Sequence, residues 1–301
     1  MDTLRGRKVL FVEGEEADYE NFLKVLGSKV LPDFPEVTRM LTVFQTEGPT
    51  MNWPFDTIKA FEKLIGTKIR YVYISDADLN TDEQLRERER KATEQGHTIR
   101  HLSRRNRESY LLDLIILSRL LQKKWKVKNA TVDTPELLTE QGIKAFLLEN
   151  ATTDEDRVRT SLFVYQEPSL RGDAQHRTDR AQELNDFFRV NYVVPLQKKE
   201  IPFRLLDSKT LLRAFRTEAQ AHGLSFSDRE ILAEYTKDEI PQDIKKLVSD
   251  IRNMFQENEV SGAGAEPQTN KAIKSANKPV PQRKTRKVKK SMKNKRKPKK
   301  A

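Results

Sequence analysis

Two short apolar runs, Val9 to Val12 and Ile69 to Ile74, break off abruptly onto acidic residues. Neither alternates polar and apolar positions, so each predicts a strand buried on both faces, as in a parallel sheet. Between and after them the period becomes helical. Glu15 to Gly27 predicts a helix with Tyr19, Phe22, Leu23 and Leu26 on one face and Gly27 as its C-cap. Thr38 to Phe44 predicts a second strand and Pro49 to Pro54 a loop. A helix N-capped by Asp56 then runs through Leu64, with Ile58, Phe61, Leu64 and Ile65 towards the sheet. Ile69 to Ser75 is the third strand, Thr81 to Gln95 a heavily charged helix read as a solvated outer face, and His97 to Leu102 a fourth strand. Strands alternating with connections of helical length predict a parallel α/β sheet.

From Asn106 onward the pattern is mostly helical. Helices are predicted at Ser109 to Lys123, Thr134 to Glu149, Asp154 to Tyr165, Asp179 to Arg189, Ser208 to His222 and Ile240 to Asn258. Asn191 to Phe203, broken by Pro195 and Pro202, reads as extended. The expected organisation is an α/β core over 1–104, a helical region over 105–258 that completes or packs on it, and a low-complexity, disordered Lys/Arg-rich tail over 259–301.

That tail changes the meaning of the net charge of +11. Pro267 to Ala301 carries 15 Lys or Arg and no Asp or Glu, leaving 41 basic against 45 acidic residues elsewhere. The nucleic-acid-like charge therefore belongs to the tail, with no aromatic residues to stack on bases. The chain has no cysteine, which excludes disulfides and thiolate metal sites and suits a cytoplasmic protein. No window approaches the roughly 18 apolar residues of a membrane span, so a soluble protein with no membrane partner is expected.

The chemistry gathers where the buried strands end. A parallel strand ending in a carboxylate delivers it to the C-terminal edge of the sheet, where open α/β sheets bind ligands. Glu13, Asp76 and Asp78 are expected to meet there, the last two pointing the same way as alternate residues of a strand. Three carboxylates crowded together must either rise in pKa or share a cation. Oxygen donors without His or Cys favour Mg²⁺ or Mn²⁺ over zinc. Gly14 lets the backbone turn sharply and a phosphate come close. Glu108 lies among Arg104, Arg105 and Arg107, side chains able to clamp a phosphate, and it reads either as functional or as helix-capping. The four histidines have no ligand spacing, and no G-x-x-x-x-G-K-[ST] occurs.

The unit of strand, Glu13-Gly14 and helix, followed by a strand ending in Asp76-Ala77-Asp78, resembles the Toprim domain of topoisomerases, primases and OLD-family nucleases. Arg104 to Leu112 (RRNRESYLL) is similar to the E-n-Y-L-L segment of OLD-type and DUF4435-type Toprim proteins. Asp207 to Leu212 (DSKTLL) resembles their G-K-x-L-L segment, with Ser208 where glycine is usual. The resemblance spans roughly residues 7 to 255 and lacks the ATPase half of full-length OLD nucleases. It implies a divalent-metal-dependent endonuclease acting on DNA or tRNA, as an effector of anti-phage defence working with a separately encoded ATPase. It implies a two-metal site of Mg²⁺ or Mn²⁺ held by Glu13, Asp18, Asp76, Asp78 and Glu108, with Glu13, Glu108 and Lys209 as catalytic residues. OLD members place the second acidic residue four after the glutamate, which is Ala17 here. Asp18 then fits the spacing of RloB-like Toprim proteins, with Glu16 and Glu20 as rivals. An inactive Toprim-like protein that binds nucleic acid or regulates is the alternative.

Overall fold

The computed structural model describes residues 8–13, 16–39, 41–46, 53–66, 69, 71–129 and 131–261, with the side chains of 8, 16–18, 53–55, 57, 61, 65 and 255–261 outside the description. Of the tail expected to be disordered over 259–301, residues 259–261 instead end the last helix, and the rest lies outside the described residues. Four strands form one parallel sheet in the order β2-β1-β3-β4. They are β1 (Lys8–Glu13), β2 (Leu41–Thr46), β3 (Tyr71–Ser75) and β4 (Thr98–His101). The register sets Glu13 beside Thr46, Val12 beside Ile74 and Ser75 beside His101, so all four strands end along one edge.

Both faces are covered, as the unbroken apolar runs require. Leu10, Val12, Val72 and Ile74 face a large core that includes Tyr19, Phe22, Leu23 and Leu26 of α1 (Glu16–Val30). Val9, Phe11, Tyr71, Tyr73 and Ile99 face a smaller cluster, closed by Ile58 of α3 (Trp53–Ile65) and Ala92 of α4 (Asp82–Glu94). The large core continues without a break through Tyr110, Leu147, Phe215 and Ile251. Residues up to Ser261 pack as one unit. The second half is helical: α5 (Leu114–Lys128), α6 (Glu140–Thr153), α7 (Glu155–Gln166), α8 (Ala174–Phe188), α9 (Val194–Gln197), α10 (Ser208–Ala221), α11 (Asp228–Glu234) and α12 (Gln242–Ser261). Among the described residues no helix is long and apolar enough to cross a membrane.

Several boundaries differ from the sequence pattern for identifiable reasons. Gly27 does not end α1, which runs to Val30. The glycine is there because the buried ring of Phe34, from α2 (Phe34–Arg39), lies against it. A Cβ at Gly27 would fall 2.1 Å from that ring. α2 takes the start of the expected Thr38-to-Phe44 strand, so β2 begins at Leu41. Asp56 sits in the first turn of α3 rather than at its cap. Pro54 is the second residue of that helix, where a missing N–H costs nothing. Asp113 caps α5 by accepting from the backbone N–H of Ile115 and Ile116, so Arg107 to Tyr110 is a separate 3₁₀ turn. The stretch expected to be extended after Asn191 is instead helical at its start. A π turn at Arg189–Val193 continues α8, and α9 follows with Pro195 in its first turn.

Candidate metal centre

Glu13 is the last residue of β1, and its Oε2 accepts a hydrogen bond of 2.8 Å from Ser75 Oγ at the end of β3. Burial, reinforced by the Asp78 charge, raises its pKa. Asp76 follows β3 directly and is the most perturbed carboxylate of the site. Burial pushes its pKa up to about 8, and the charges of Asp78, Glu13 and Glu108 add to the effect. One oxygen, Oδ1, accepts a 2.5 Å hydrogen bond from the buried hydroxyl of Tyr19 on α1, which opposes the rise. Tyr19 has its own pKa raised by burial and by Asp76, so it stays a donor.

Asp78 reaches the crevice by a route the sequence did not indicate. β3 ends at Ser75, so Asp76 and Asp78 are not alternate residues of a strand. Asp78 lies in a turn with φ of 44°, the left-handed region that aspartate tolerates better than most side chains. The helical half holds this turn. Asp78 N–H donates to Arg105 O at 2.7 Å. Arg204 Nη1 donates to Asp78 O at 2.9 Å, its Nη2 to Asn80 O and its Nε to Asp82 Oδ1 at 3.3 Å. Asn80 and Leu79 are tied to Tyr165 and Gln166 at the end of α7. The Asp78 carboxylate itself accepts no hydrogen bond among the described residues. Burial raises its pKa against the lowering charges of Arg105, Lys209, Arg88 and Arg204.

Glu108 and Lys209, 101 positions apart in the chain, stand together. Lys209 Nζ is 3.7 Å and Arg107 Nη2 is 3.2 Å from Glu108 Oε1. Ser208, the serine where glycine was expected, explains the meeting. It is fully buried and its Oγ lies 2.6 Å from Ser109 Oγ, which donates to Asn106 Oδ1. This hydroxyl pair fastens the start of α10 to the 3₁₀ turn carrying Glu108. The neighbouring arginines are occupied. Arg104 is stacked between the rings of Tyr110 and Phe203 and donates to Ser109 O, and Arg105 donates to Leu205 O. Each is thus tied to a backbone carbonyl through one nitrogen.

Asp18 and its rival Glu16 are in the first turn of α1, and their side chains lie outside the described residues. The other rival, Glu20, pairs with Lys24 one turn along α1. Sequence reasoning missed Tyr19, Ser75, Tyr165 and Arg204, none of which belongs to a spaced motif. Their signal is three-dimensional: each touches the acidic loop or Glu13.

The donor set suits a hard divalent cation. All the candidate ligands are carboxylates, burial and mutual repulsion penalise their charged forms, and Asp78 lacks any donor. Among the described residues, however, no three acidic or histidine side chains are drawn together at ligating distance. Compared with protein-family models, curated proteins and solved structures, the chain has no significant match.

Proposed function

We propose that the protein is a divalent-metal-dependent nuclease that hydrolyses phosphodiester bonds of DNA or RNA. The observation that carries this reading is the convergence of Glu13, Asp76 and Asp78 at one sheet edge, each with its charged form disfavoured by burial. Glu13, Asp76 and Asp78 would hold Mg²⁺ or Mn²⁺, with Glu108 and Asp18 completing the set. When bound, such ions polarise a phosphoryl oxygen and make bound water a nucleophile near neutral pH. Glu13, at the end of β1, would also be positioned to take a proton from the attacking water. Lys209, beside Glu108, brings positive charge towards the scissile phosphate. Ser75, Tyr19 and Arg204 keep the carboxylates in place. The basic tail supplies long-range, sequence-independent attraction to a polyanion. Control by a separate ATPase, in an anti-phage setting, is proposed on the Toprim-like motifs alone.

A second reading is a nucleic-acid-binding or regulatory protein without catalysis, favoured by the absence of a preassembled three-ligand cluster among the described residues. One assay separates the two. Supercoiled plasmid and tRNA are incubated with metal-free protein, then with Mg²⁺ or Mn²⁺ added. Cleavage of at least one substrate, abolished by EDTA, is expected. Binding of both with cleavage of neither favours the second reading.

A further inference from the structure

We propose that Arg88, on α4, is the side chain that grips the substrate phosphate at the carboxylate crevice, an inference that rests on the nuclease reading. The charge pattern of Thr81 to Gln95 suggests a helix facing water, and for most of its cations that holds. Arg90 pairs with Glu87 and Glu94, and Lys91 with Glu87, all on the solvent side. Arg88 belongs to a different face. It stands one turn after Gln84 and one turn before Ala92. Gln84 Nε2 donates to Gln166 Oε1 of the helical half at 2.8 Å, while Ala92 is buried against the outer face of the sheet. Arg88 is half-buried, one turn from each of these anchors on the same side of α4.

Its surroundings tie it to the carboxylate crevice. The Arg88 charge acts on Glu13, Asp78, Tyr73 and Tyr165, groups that come from β1, β3, the acidic turn and α7. His101, on the same face of β4 as Ile99, is also within its field. Burial, with the charges of Arg88 and Arg204, pushes the His101 pKa down to about 4, so the ring is neutral near pH 7 and adds no competing cation. The other guanidiniums nearby already have partners. Arg204 holds the acidic turn with all three nitrogens, Arg104 and Arg105 hold carbonyls, and Arg107 is buried with Glu108. Arg88 makes no hydrogen bond or ion pair among the described residues. Its five N–H donors can therefore take two non-bridging phosphate oxygens side by side, a geometry that lysine cannot match.

In the hydrolysis a water oxygen bonds to phosphorus and the bond to one sugar oxygen breaks, that oxygen leaving with the electron pair. The water proton passes to Glu13, and the sugar oxygen is protonated from solvent. Negative charge grows on the oxygens that Arg88 holds.

Arg88→Gln and Arg88→Lys test this on the full chain, with cleavage of plasmid and tRNA and calorimetric Mn²⁺ affinity as readouts. Losing the cation is expected to lower kcat about 10²-fold, with a smaller effect on KM and partial recovery in Arg88→Lys. Because a positive charge has left the vicinity of two of the carboxylates, Glu13 and Asp78, Arg88→Gln should bind Mn²⁺ about threefold or more tighter. Opposite movement of cleavage and metal affinity is not what a merely structural arginine gives. Wild-type cleavage with Arg88→Gln within about threefold of it overturns the proposal, as does a parallel fall in both readouts. If the wild type cleaves neither nucleic acid, the nuclease reading fails by itself. Arg88→Gln that then leaves Mn²⁺ affinity unchanged overturns the placement of Arg88 as well.

Discussion

Glu13→Ala and Asp76→Ala should each remove the proposed metal-dependent cleavage, by at least about 10³-fold, while the protein still folds. The expectation follows from what the two carboxylates do besides sitting in the crevice. Glu13 contributes one hydrogen bond from Ser75 to the fold, and its own burial opposes folding in the charged form. Alanine there removes a penalty along with a contact, so thermal stability should change little. Asp76→Ala leaves the buried Tyr19 hydroxyl without its acceptor, a cost of about 1–3 kcal/mol, offset by loss of a buried carboxylate. Circular dichroism and a thermal melt establish folding, and plasmid and tRNA cleavage with Mn²⁺ gives activity. Full activity in either variant rules out the carboxylates as the working site.

The second large effect is on stability against pH. Asp76 has an ordinary carboxylate value of 3.8 when unfolded and is raised to about 8 when folded. Between those values the folded protein keeps a proton that the unfolded chain gives up. The metal-free protein should therefore lose stability as pH rises from about 4 to about 8 and level off above that. Glu13 and Asp78, also raised, act in the same direction. Asp76→Asn keeps an oxygen for Tyr19 but has no charge to expose. Without metal it should match the wild type near pH 4 and exceed it by a few kcal/mol near pH 8, read by urea unfolding. Added Mg²⁺ should narrow the gap at pH 8 by stabilising the wild type. Parallel curves for the two proteins across this range would show that Asp76 is not held in the perturbed state.

The parts of the fold that were legible in the sequence are those set by short-range pattern. β1 and β3 are apolar runs too short for helices and buried on both sides, and α4 and α10 announce themselves with Thr81 and Asp207 at their caps. What the pattern hid was set by distant partners. Gly27 reads as a stop because the Phe34 ring it accommodates lies beyond the helix. Pro195 reads as a breaker, yet it falls in the first turn of α9, directly after a π turn that has no sequence mark. α11 has seven residues and only its Ser227–Glu230 capping box to declare it. The site divides in the same way. Glu13, Asp76 and Asp78 were visible as strand ends, yet the left-handed turn that presents Asp78 depends on Arg204, 126 positions away. Arg88 was hidden in plain view, one arginine among many in a charged helix.

Everything proposed for the centre reduces to whether these carboxylates take a divalent ion in place of protons. Calorimetric titration of the metal-free protein with Mn²⁺ near pH 7, in two buffers of different ionisation enthalpy, measures both quantities at once. Because Asp76 is raised to about 8, Mn²⁺ should bind with release of on the order of one proton, and Asp76→Asn should bind more weakly with less release. No Mn²⁺ binding, or binding that is identical in the wild type and Asp76→Asn with no proton released, would contradict the metal centre itself.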